Sequence, residues 1–339
     1  MEIALDATYS LGKNLSGVGV YSREILFGLA NTHPSDRFSF YYRTHRLLRS
    51  FADSLPRNAR RRVLSGSPKG DIFHALNQRV DTRAPRTVTT FHDLFVMTGG
   101  YSSREFRQRF AEQAKTAAKN SDLIIAVSSF TASQVETLLG VNRDRIRVIP
   151  HGVRPPVELR PQREDIVLCV GAIQKRKNIG RLIRAFDLMP SGWRLVLAGA
   201  PDGYGAQEEL KALEKSHRTQ DIQIKGYVSA RELEDLYRRA RIVAFPSLDE
   251  GFGMPVLEAM VHGAAVVASR RSAIPEVAGD AAILVDPTDV AELAEALKQV
   301  AVNTADRDEL VARGRARAAM FTWESAVEQT WAVYRELCR

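Results

Sequence analysis

The stretch Ser247-Leu-Asp-Glu-Gly-Phe-Gly-Met-Pro-Val-Leu-Glu-Ala-Met260 joins a glycine-rich loop to the start of a predicted helix. Pro255 fits a first helical turn, because the N–H that proline lacks would have no intrahelical acceptor there. Glu250 then lies in the loop, and Glu258 lies one turn inside the helix. The helix start carries unsatisfied N–H groups and partial positive charge, which suit a phosphate, whereas two carboxylates suit hydroxyl groups. The stretch therefore indicates a ligand that offers both, such as a sugar nucleotide.

The rest of the chain reads as two α/β domains. Its 339 residues are too many for one ordinary core. Short apolar runs alternate with amphipathic stretches, a pattern typical of parallel sheets covered by helices on both faces. We expect two Rossmann-like domains, 1–155 and 156–320, facing across a cleft. A proline-rich linker is expected at 150–161, and a terminal helix at 321–339 is expected to pack back on the first domain.

Individual elements follow from the same alternation. Strands are expected at 3–6, 87–91, 123–127, 146–149, 166–170, 193–197, 222–224, 242–245, 264–268 and 282–285. Helices are expected at about 18–29, 104–119, 233–240, 290–300 and 323–337. A further helix is expected after Asn178, which is a plausible N-cap.

Composition indicates a soluble globular protein, with 45% hydrophobic and 26% charged residues. No apolar run approaches the roughly 18 residues that suggest a membrane span. The first residues lack the basic and long apolar regions of a signal peptide. Two cysteines, Cys169 and Cys338, indicate neither a disulfide framework nor a zinc site. A cytoplasmic location is therefore expected.

The basic excess lies in the N-terminal half of the chain. Residues 1–155 contain 23 Lys+Arg and 13 Asp+Glu, a balance of +10, whereas residues 156–339 contain 25 and 27, a balance of −2. Basic clusters suit a polyanion or an anionic membrane, where each near-surface charge is worth about 1 kcal/mol. We expect an anionic membrane surface rather than nucleic acid as the partner. A solvated surface that aids solubility is the alternative.

Lys175, Arg176 and Lys177 follow a predicted strand and precede a helix start. Arginine binds phosphate oxygens in a bidentate manner, and lysine acts as a point charge. A diphosphate leaving group needs such cations, because its charge grows as the bond to the sugar breaks. They could take the place of a divalent metal. The alternative is a solvated basic turn.

Two segments of the N-terminal half are further candidates. Gly17 and Gly19 open a helix after the first strand, but Ser22 stands where the dinucleotide fingerprint has its third small residue, which disfavours NAD(P). His92 and Asp93 directly follow a strand; His92 could bind a sugar hydroxyl or exchange a proton near neutral pH, or could instead be a structural residue bonded to Asp93. Ser128 is expected to cap the next helix, with a substrate contact as the alternative.

These residues resemble the retaining GT-B glycosyltransferases of family 4, the glycosyl transferases group 1, over nearly the whole chain. The resemblance is carried by Gly17–Tyr21, His92-Asp93, Ser128-Ser129, Pro150–Val153, Arg176–Asn178, the pair Glu250 and Glu258, and Phe321–Glu324. It implies the GT-B fold and a donor site formed by Gly17, Gly19, Arg176, Lys177, Glu250, Gly251, Phe252, Gly253, Met254 and Glu258. Asp93 and Ser128 would lie on the acceptor side.

The resemblance also implies roles for single residues. Glu250 would contact the transferred sugar and Glu258 the ribose, while Arg176 and Lys177 hold the diphosphate. Gly17 would bring backbone near the phosphate, and His92 would lie near the sugar. Many members have an arginine where this chain has Ala172, which leaves open whether Lys175 supplies the missing cation.

The implied reaction is metal-independent transfer of a hexose with retention, without a cofactor. The sequence around Gly253-Met-Pro255 and Arg176-Lys-Asn178 looks most like that of bacterial mannosyltransferases of surface polysaccharide assembly. This likeness favours GDP-mannose as the donor and a lipid-linked glycan acceptor at the cytoplasmic face of the inner membrane. Three alternatives stay open: a UDP-sugar-dependent transferase, a sugar-nucleotide epimerase of the same fold, and a sugar-nucleotide binding protein without turnover.

Overall fold

The computed structural model describes residues 1–12, 15–81, 84–156 and 163–339. These residues form two compact units. The first unit comprises Met1–Thr98, Ser103–Gly152 and Phe321–Arg339, and the second comprises Gly99–Ser102 and Val153–Met320. Of the linker expected at 150–161, residues 157–161 lie outside the described residues.

The first unit contains a seven-stranded parallel sheet. Its strands are β1 (Glu2–Asp6), β2 (Arg37–Tyr42), β3 (Ala59–Val63), β4 (Ile72–Ala75), β5 (Thr87–Phe91), β6 (Leu123–Ala126) and β7 (Ile146–Val148). Their order in the sheet is β3-β2-β1-β4-β5-β6-β7. The helices of this unit are α1 (Gly17–Thr32), α2 (Thr44–Leu47), α3 (Phe95–Thr98), α4 (Arg104–Asn120), α5 (Ser129–Leu139) and α13 (Trp323–Leu337).

The second unit contains a six-stranded parallel sheet. Its strands are β8 (Glu164–Val170), β9 (Arg194–Ala198), β10 (Ile222–Gly226), β11 (Ala240–Phe245), β12 (Ala265–Ser269) and β13 (Ile283–Val285). Their order is β10-β9-β8-β11-β12-β13. Its helices are α6 (Ile179–Phe186), α7 (Ala206–Glu214), α8 (Ala230–Arg239), α9 (Met254–Val261), α10 (Ile274–Ala278), α11 (Val290–Val302) and α12 (Thr304–Ala318).

Both sheets confirm the predicted α/β class with parallel strands. In each unit the chain order reverses beside the first strand, between β1 and β4 and between β8 and β11. Such a reversal separates the loops at the carboxyl ends of two neighbouring strands, and ligands of doubly wound sheets bind there. The fold therefore assigns one candidate site region to each unit.

Three strands of the first unit were missed by the sequence analysis. β2, β3 and β4 all lie between residues 37 and 75, where no strand was predicted. β3 forms the edge of the sheet and contains Arg60, Arg61 and Arg62 in succession. An edge strand needs little buried apolar surface, so its sequence reads as a charge cluster rather than as a strand.

The terminal helix α13 packs within the first unit. Tyr334 bonds through its hydroxyl to Nδ1 of the buried His74 at 2.5 Å, and Trp331 stacks on His33 with ring centroids 3.8 Å apart. Gly28 of α1 lies against Val327, so closely that a Cβ there would be 2.4 Å from Cγ2 of the valine. Close approach of α1 and α13 therefore depends on a glycine.

Replacing Gly28 with alanine should destabilise the protein. Overpacking against the stiff Val327 side chain costs about 1–3 kcal/mol, more than the roughly 1 kcal/mol that alanine gains over glycine in a helix. Urea unfolding of Gly28→Ala checks the loss. In a Val327→Ala background the same change should instead stabilise. A single Gly28→Ala variant as stable as the parent would contradict this packing.

Candidate functional site

The candidate site of the second unit lies where β8 and β11 end side by side. The loop after β8 covers 171–178, and the loop after β11 covers 246–253. The two loops are tied together, because the Leu248 N–H donates to the Arg176 carbonyl at 2.8 Å. Lys175–Lys177 forms a single 3-10 turn that presents three consecutive cations. The topology thus brings the predicted basic turn and the glutamate loop to one place.

The backbone of the first loop depends on Gly171 and Asn178. Gly171 has a φ of +133°, and a Cβ there would be 2.9 Å from Cε of Lys177. Asn178 has a left-handed backbone, and its side chain makes no capping bond to α6. Instead its Nδ2 donates to the carbonyls of Pro246 at 3.0 Å and Pro287 at 2.6 Å. Asn178 therefore occupies the predicted N-cap position of α6, but its side chain joins three loops instead of capping the helix.

Arg176, Lys177 and Glu250 form a largely buried ion cluster. One carboxylate oxygen, Oε1 of Glu250, lies 2.5 Å from Nη1 of Arg176 and 2.6 Å from Nζ of Lys177. The three side chains are only 9%, 10% and 12% exposed, respectively. Nζ of Lys177 also lies 4.5 Å from the centroid of the Phe245 ring, a cation–π contact. Two cations therefore share one carboxylate.

The electrostatics of this cluster favour the ionised glutamate. Burial raises the pKa of Glu250, but Arg176 and Lys177 outweigh it and bring the pKa down to about 2. Burial lowers the pKa of Lys177 even though Glu250 opposes that change, and the neighbouring Arg176 lowers it further. The Glu250 carboxylate thus has two cationic partners, and Nη1 of Arg176 also donates to the Asp249 carbonyl at 2.6 Å. The cluster is left with an excess positive charge, which an anionic ligand would neutralise.

Glu258 has a different environment from Glu250. It lies one turn inside α9, as predicted, and its Oε2 accepts a 2.7 Å hydrogen bond from the Tyr237 hydroxyl. Burial raises the pKa of Glu258, although Tyr237 and then Lys177 oppose the change. Met254 is the first residue of α9, and Gly253 precedes it with a φ of +111°. That conformation disfavours any side chain.

In the first unit, His92 is buried directly after β5. Its Nε2 donates to the Leu76 carbonyl at 2.9 Å, and its ring stacks on His151 with centroids 5.4 Å apart. Burial lowers the pKa of His92 to about 4, although the bond to Leu76 opposes the change. A ring with this pKa is neutral near neutral pH, which favours the hydrogen-bonding role of His92 over proton exchange; its contact with a sugar stays a prediction. The neutral ring acts as a hydrogen-bond donor.

The two candidate glycines of the first unit differ in their surroundings. Gly17 is the first residue of α1, is exposed, and has open space where a Cβ would point. Gly19 is buried, and a Cβ there would lie 3.0 Å from the Tyr9 carbonyl oxygen and 3.1 Å from Cδ2 of Leu15. Gly19 thus has a packing reason to be glycine. Only at Gly17 does the fold leave room for a larger residue.

Ser128 is the N-cap of α5, as predicted, because its Oγ accepts from the Thr131 N–H at 3.0 Å. A contact to substrate stays a prediction for Ser128 and for Asp93. The predicted site residues divide between the two units. The first unit contains Gly17, Gly19, His92, Asp93 and Ser128, and the second contains the Arg176–Lys177–Glu250 cluster, Gly251–Met254 and Glu258.

A cavity of about 290 Å³ lies at the carboxyl edge of the first unit's sheet. Its lining includes Tyr9 after β1, Arg43, His45 and Arg46 after β2, and Arg79 after β4. This cavity was not predicted from the sequence, because strands β2 and β4 were missed. The cavity offers guanidinium groups to an anion.

Comparison with known proteins identifies the family. Residues 154–317 match the glycosyl transferases group 1, and residues 11–155 match glycosyltransferase family 4. The chain belongs to glycosyltransferase family 4. It is 34% identical over 289 residues to O-antigen chain mannosyltransferase B of Escherichia coli, covering 79% of this chain and 75% of the relative. It is 32% identical over 237 residues to an MMP alpha-(1->4)-mannosyltransferase of Mycolicibacterium hassiacum, covering 67% of this chain and 57% of the relative.

Solved glycosyltransferase structures share the fold. Sucrose-phosphate synthase from Thermosynechococcus elongatus superimposes with a TM-score of 0.79 at 21% identity, covering 99% of each chain. HepE from Anabaena, solved with UDP and glucose, gives a TM-score of 0.75 at 16% identity, covering 99% of this chain and all of its own. WaaG, a glycosyltransferase involved in lipopolysaccharide biosynthesis, gives 0.73 at 13% identity, covering 97% and 98%.

Some residues around the family site were not anticipated. Tyr237 lies 21 residues before Glu258, and Ser272 accepts from the Glu250 N–H at 2.9 Å from 22 residues further along the chain. Ser272 has a φ of +56°, which is unusual for a residue other than glycine. Neither residue stands in a recognisable pattern. The contacts come from the fold, which brings α8 to α9 and the loop after β12 to the loop after β11.

Tyr101 is a further residue that sequence analysis missed. It lies in Gly99–Ser102, which belongs to the second unit. Burial raises the pKa of Tyr101, Asp249 raises it further, and Arg176 and Arg271 lower it. The exposed Lys175, considered as a substitute for the arginine that Ala172 replaces, approaches the same segment: a Cβ on Gly100 would lie 3.9 Å from its Nζ. Its role toward a diphosphate stays a prediction.

Neutralising Glu250 should destabilise the folded protein in a pH-dependent manner. Its folded pKa of about 2 lies below the ordinary 4.5, so its carboxylate contributes about 3 kcal/mol above pH 4.5, which is lost as the pH falls toward 2. The difference in free energy of unfolding between the parent and Glu250→Gln, measured by urea unfolding, should therefore narrow to less than half on acidification from pH ~7 to ~3.

Glu258→Gln is the matched control. Because the folded pKa of Glu258 is raised, its carboxylate disfavours folding at neutral pH. The free energy of unfolding of the parent should therefore rise relative to that of Glu258→Gln as the pH falls. Equal pH dependence of the two variants would contradict the opposite environments of the two glutamates.

Proposed function

We propose that this chain is a retaining mannosyltransferase that moves mannose from GDP-mannose to a lipid-linked glycan in bacterial cell-surface polysaccharide synthesis. The observation that carries the proposal is the buried cluster of Arg176, Lys177 and Glu250 at the switch point of the second unit. Support for mannose comes from the two relatives described above, which are both named as mannosyltransferases.

The cluster suits the departure of a nucleoside diphosphate. Breaking the bond between the sugar and the diphosphate leaves negative charge on the phosphate oxygen. Arg176 and Lys177 are buried and held by the loop geometry, so both are placed to stabilise that charge once the diphosphate takes over their N–H groups from Glu250. Their excess positive charge over Glu250 also favours binding of the diphosphate before reaction. This arrangement would need no metal ion.

Glu250 is suited to hydrogen bonding rather than to proton transfer. With a pKa of about 2, it stays ionised at any working pH near neutrality. An ionised carboxylate accepts hydrogen bonds from sugar hydroxyls and orients the ring. In the retaining mechanism that we propose, the departing phosphate oxygen takes the proton of the acceptor hydroxyl as the new glycosidic bond forms on the same face of the sugar.

Glu258 and Tyr237 would bind the ribose. The carboxyl is held by the Tyr237 hydroxyl at 2.7 Å and lies beside the start of α9. A ribose hydroxyl could donate to the same carboxyl group. The proposed division therefore assigns the nucleoside to Glu258 and the transferred sugar to Glu250.

The arginine-lined cavity of the first unit supports an acceptor that carries phosphate. Arg43 and Arg79 pair with Asp81 at 3.1 and 3.3 Å. Burial raises the pKa of Asp6, and the charges of both arginines oppose that change. Arg46 adds a third guanidinium to the lining. Three guanidinium groups against two carboxylates leave positive charge for the phosphate of a lipid-linked glycan.

Donor binding should depend on the excess charge of the cluster. GDP and GDP-mannose should raise the melting temperature more than UDP, ADP or their sugars do, with about 2.7 kcal/mol of stabilisation at 100 times Kd. Lys177→Met keeps most of the apolar stem but leaves one cation for one carboxylate, so the shift should shrink markedly. Lys211→Ala, on an exposed face of α7, is the control. A larger rise in melting temperature with UDP than with GDP would contradict a guanine nucleotide and favour a UDP-sugar as the donor.

Transfer should retain the α-configuration of GDP-mannose and should survive excess EDTA. Proton NMR of the product formed on a lipid-linked glycan acceptor reads the anomer. Glu250→Gln should lower kcat about 10²–10³-fold, by analogy with loss of one transition-state contact, while the GDP-induced thermal shift should persist or grow, because the variant removes the carboxylate that competes for Arg176 and Lys177. A β-linked product would overturn retention, and conversion of the donor to an epimer without acceptor would favour the epimerase alternative.

A further inference from the structure

Two large apolar side chains of the first unit project into solvent from one short element. Leu48 is 83% exposed and Phe51 is 65% exposed, and both lie in the 3-10 helix Leu48–Ala52 that follows α2. Residues three apart in a 3-10 helix eclipse one another, so both side chains lie on the same face. We refer to Leu48 and Phe51 as the apolar tip.

The apolar tip is held in place by Arg61 of the edge strand β3. Nε and Nη2 of Arg61 donate to the Ser50 carbonyl at 3.2 and 3.0 Å, and Nη2 also donates to the Asp53 carbonyl. Its Cζ lies 4.8 Å from the centroid of the Phe51 ring. Ser50 is buried and donates from Oγ to the Leu47 carbonyl at 2.6 Å. These contacts fix an exposed phenylalanine on a rigid support.

The surroundings of the apolar tip are strongly basic. Residues 43–69 contain eight Lys+Arg and one acidic residue, Asp53. The Asp53 carboxylate is already neutralised by Arg23, in a bidentate pair with distances of 3.0 and 3.1 Å. Arg49, Arg57 and Arg62 are exposed. Arg43 and Arg60 pair with Asp81 and Glu2 outside the segment, so the fixed apolar projection is accompanied by the positive charge of the remaining cations.

We infer that the apolar tip and its arginines dock on a bilayer that carries anionic headgroups, with Leu48 and Phe51 entering the boundary with the acyl chains. Arginines alone would suit any polyanion, but a nucleic acid or a soluble polyanion would gain little from Leu48. A bilayer binds both the apolar tip and the arginines, because burial of apolar surface and attraction to anionic lipid both contribute to the binding free energy. No helix in the described ranges has the length and apolarity that a membrane crossing requires.

The inference rests on the proposed lipid-linked acceptor for its purpose, since such an acceptor lies in a membrane. Its test is separate, because binding to vesicles is measured without donor or acceptor. An enzyme that transfers sugar but ignores vesicles would overturn the docking surface alone. Vesicle binding without transfer would overturn only the proposed reaction.

Vesicle flotation measures the two contributions. The chain should bind phosphatidylcholine vesicles containing phosphatidylglycerol at low salt, and high salt should release much of it. Replacing Arg49, Arg57 and Arg62 with glutamine should weaken binding by about fivefold for each charge. The double variant Leu48→Ala with Phe51→Ala should weaken vesicle binding by roughly tenfold. The binding that remains should be electrostatic, so high salt should abolish it.

The chain offers a matched control for exposed apolar surface. Val302 and Met320 of the second unit are 68% and 69% exposed, so the pair Val302→Ala and Met320→Ala removes similar surface at another place. That variant should bind vesicles like the parent. Equal losses in both double variants would overturn a specific role for the apolar tip, as would absence of binding to any vesicle.

Fluorescence locates insertion directly. All three tryptophans, Trp193, Trp323 and Trp331, are buried, so Phe51→Trp adds an exposed reporter. Its emission should shift to shorter wavelength with anionic vesicles, and brominated acyl chains should quench it. Val302→Trp should show neither change. Vesicle binding with an unquenched Trp at position 51 would restrict the contact to the headgroups and overturn insertion.

Discussion

The candidate site depends on one constraint: two buried cations share a single carboxylate. Each strengthens the ionisation of Glu250, whereas each opposes the charge of the other. Such a cluster stays together only if the backbone fixes it, because repulsion would otherwise separate the cations. Gly171 admits the Lys177 stem, the Arg176 carbonyl binds the neighbouring loop, and Ser272 holds the Glu250 amide. The loops are thus shaped around an unbalanced charge, which is a usual way to prepare a site for an anion.

Sequence alone predicted the second unit better than the first, for a physical reason. The inner strands of the second sheet are buried on both faces, so runs such as Ile166–Val170 are apolar throughout. The missed β4 is only four residues long and contains the buried His74, whose polarity is satisfied by Tyr334 and Thr90. A buried polar residue with distant partners has no local signature. The missed strands also concealed the arginine-lined cavity, since its walls follow β2 and β4.

The chemistry of single site residues was less predictable than their location. The glycosyltransferase family and the two-sheet fold followed from patterns that the comparisons bear out, and the spacing of Glu250 and Glu258 located the loop and helix. The protonation of His92 did not follow, because its pKa depends on burial beside the rings of Tyr21 and His151. Asn178 was predicted as a cap from its residue type, but its backbone and two carbonyl partners are tertiary properties.

Glu250 and Glu258 show how the same side chain acquires opposite pKa shifts in two environments. Burial favours the neutral form of both, and only Glu250 has two cations close enough to reverse that preference. A diphosphate that engages Arg176 and Lys177 would compete with Glu250 for the same N–H groups. By reciprocity, diphosphate binding must then raise the pKa of Glu250, and protonation of Glu250 must strengthen diphosphate binding. A glutamate that starts with a pKa of about 2 can lose part of this support and still remain ionised near neutral pH. In the proposed reaction, the deep initial shift would therefore let one cluster bind the diphosphate and keep a carboxylate for the sugar.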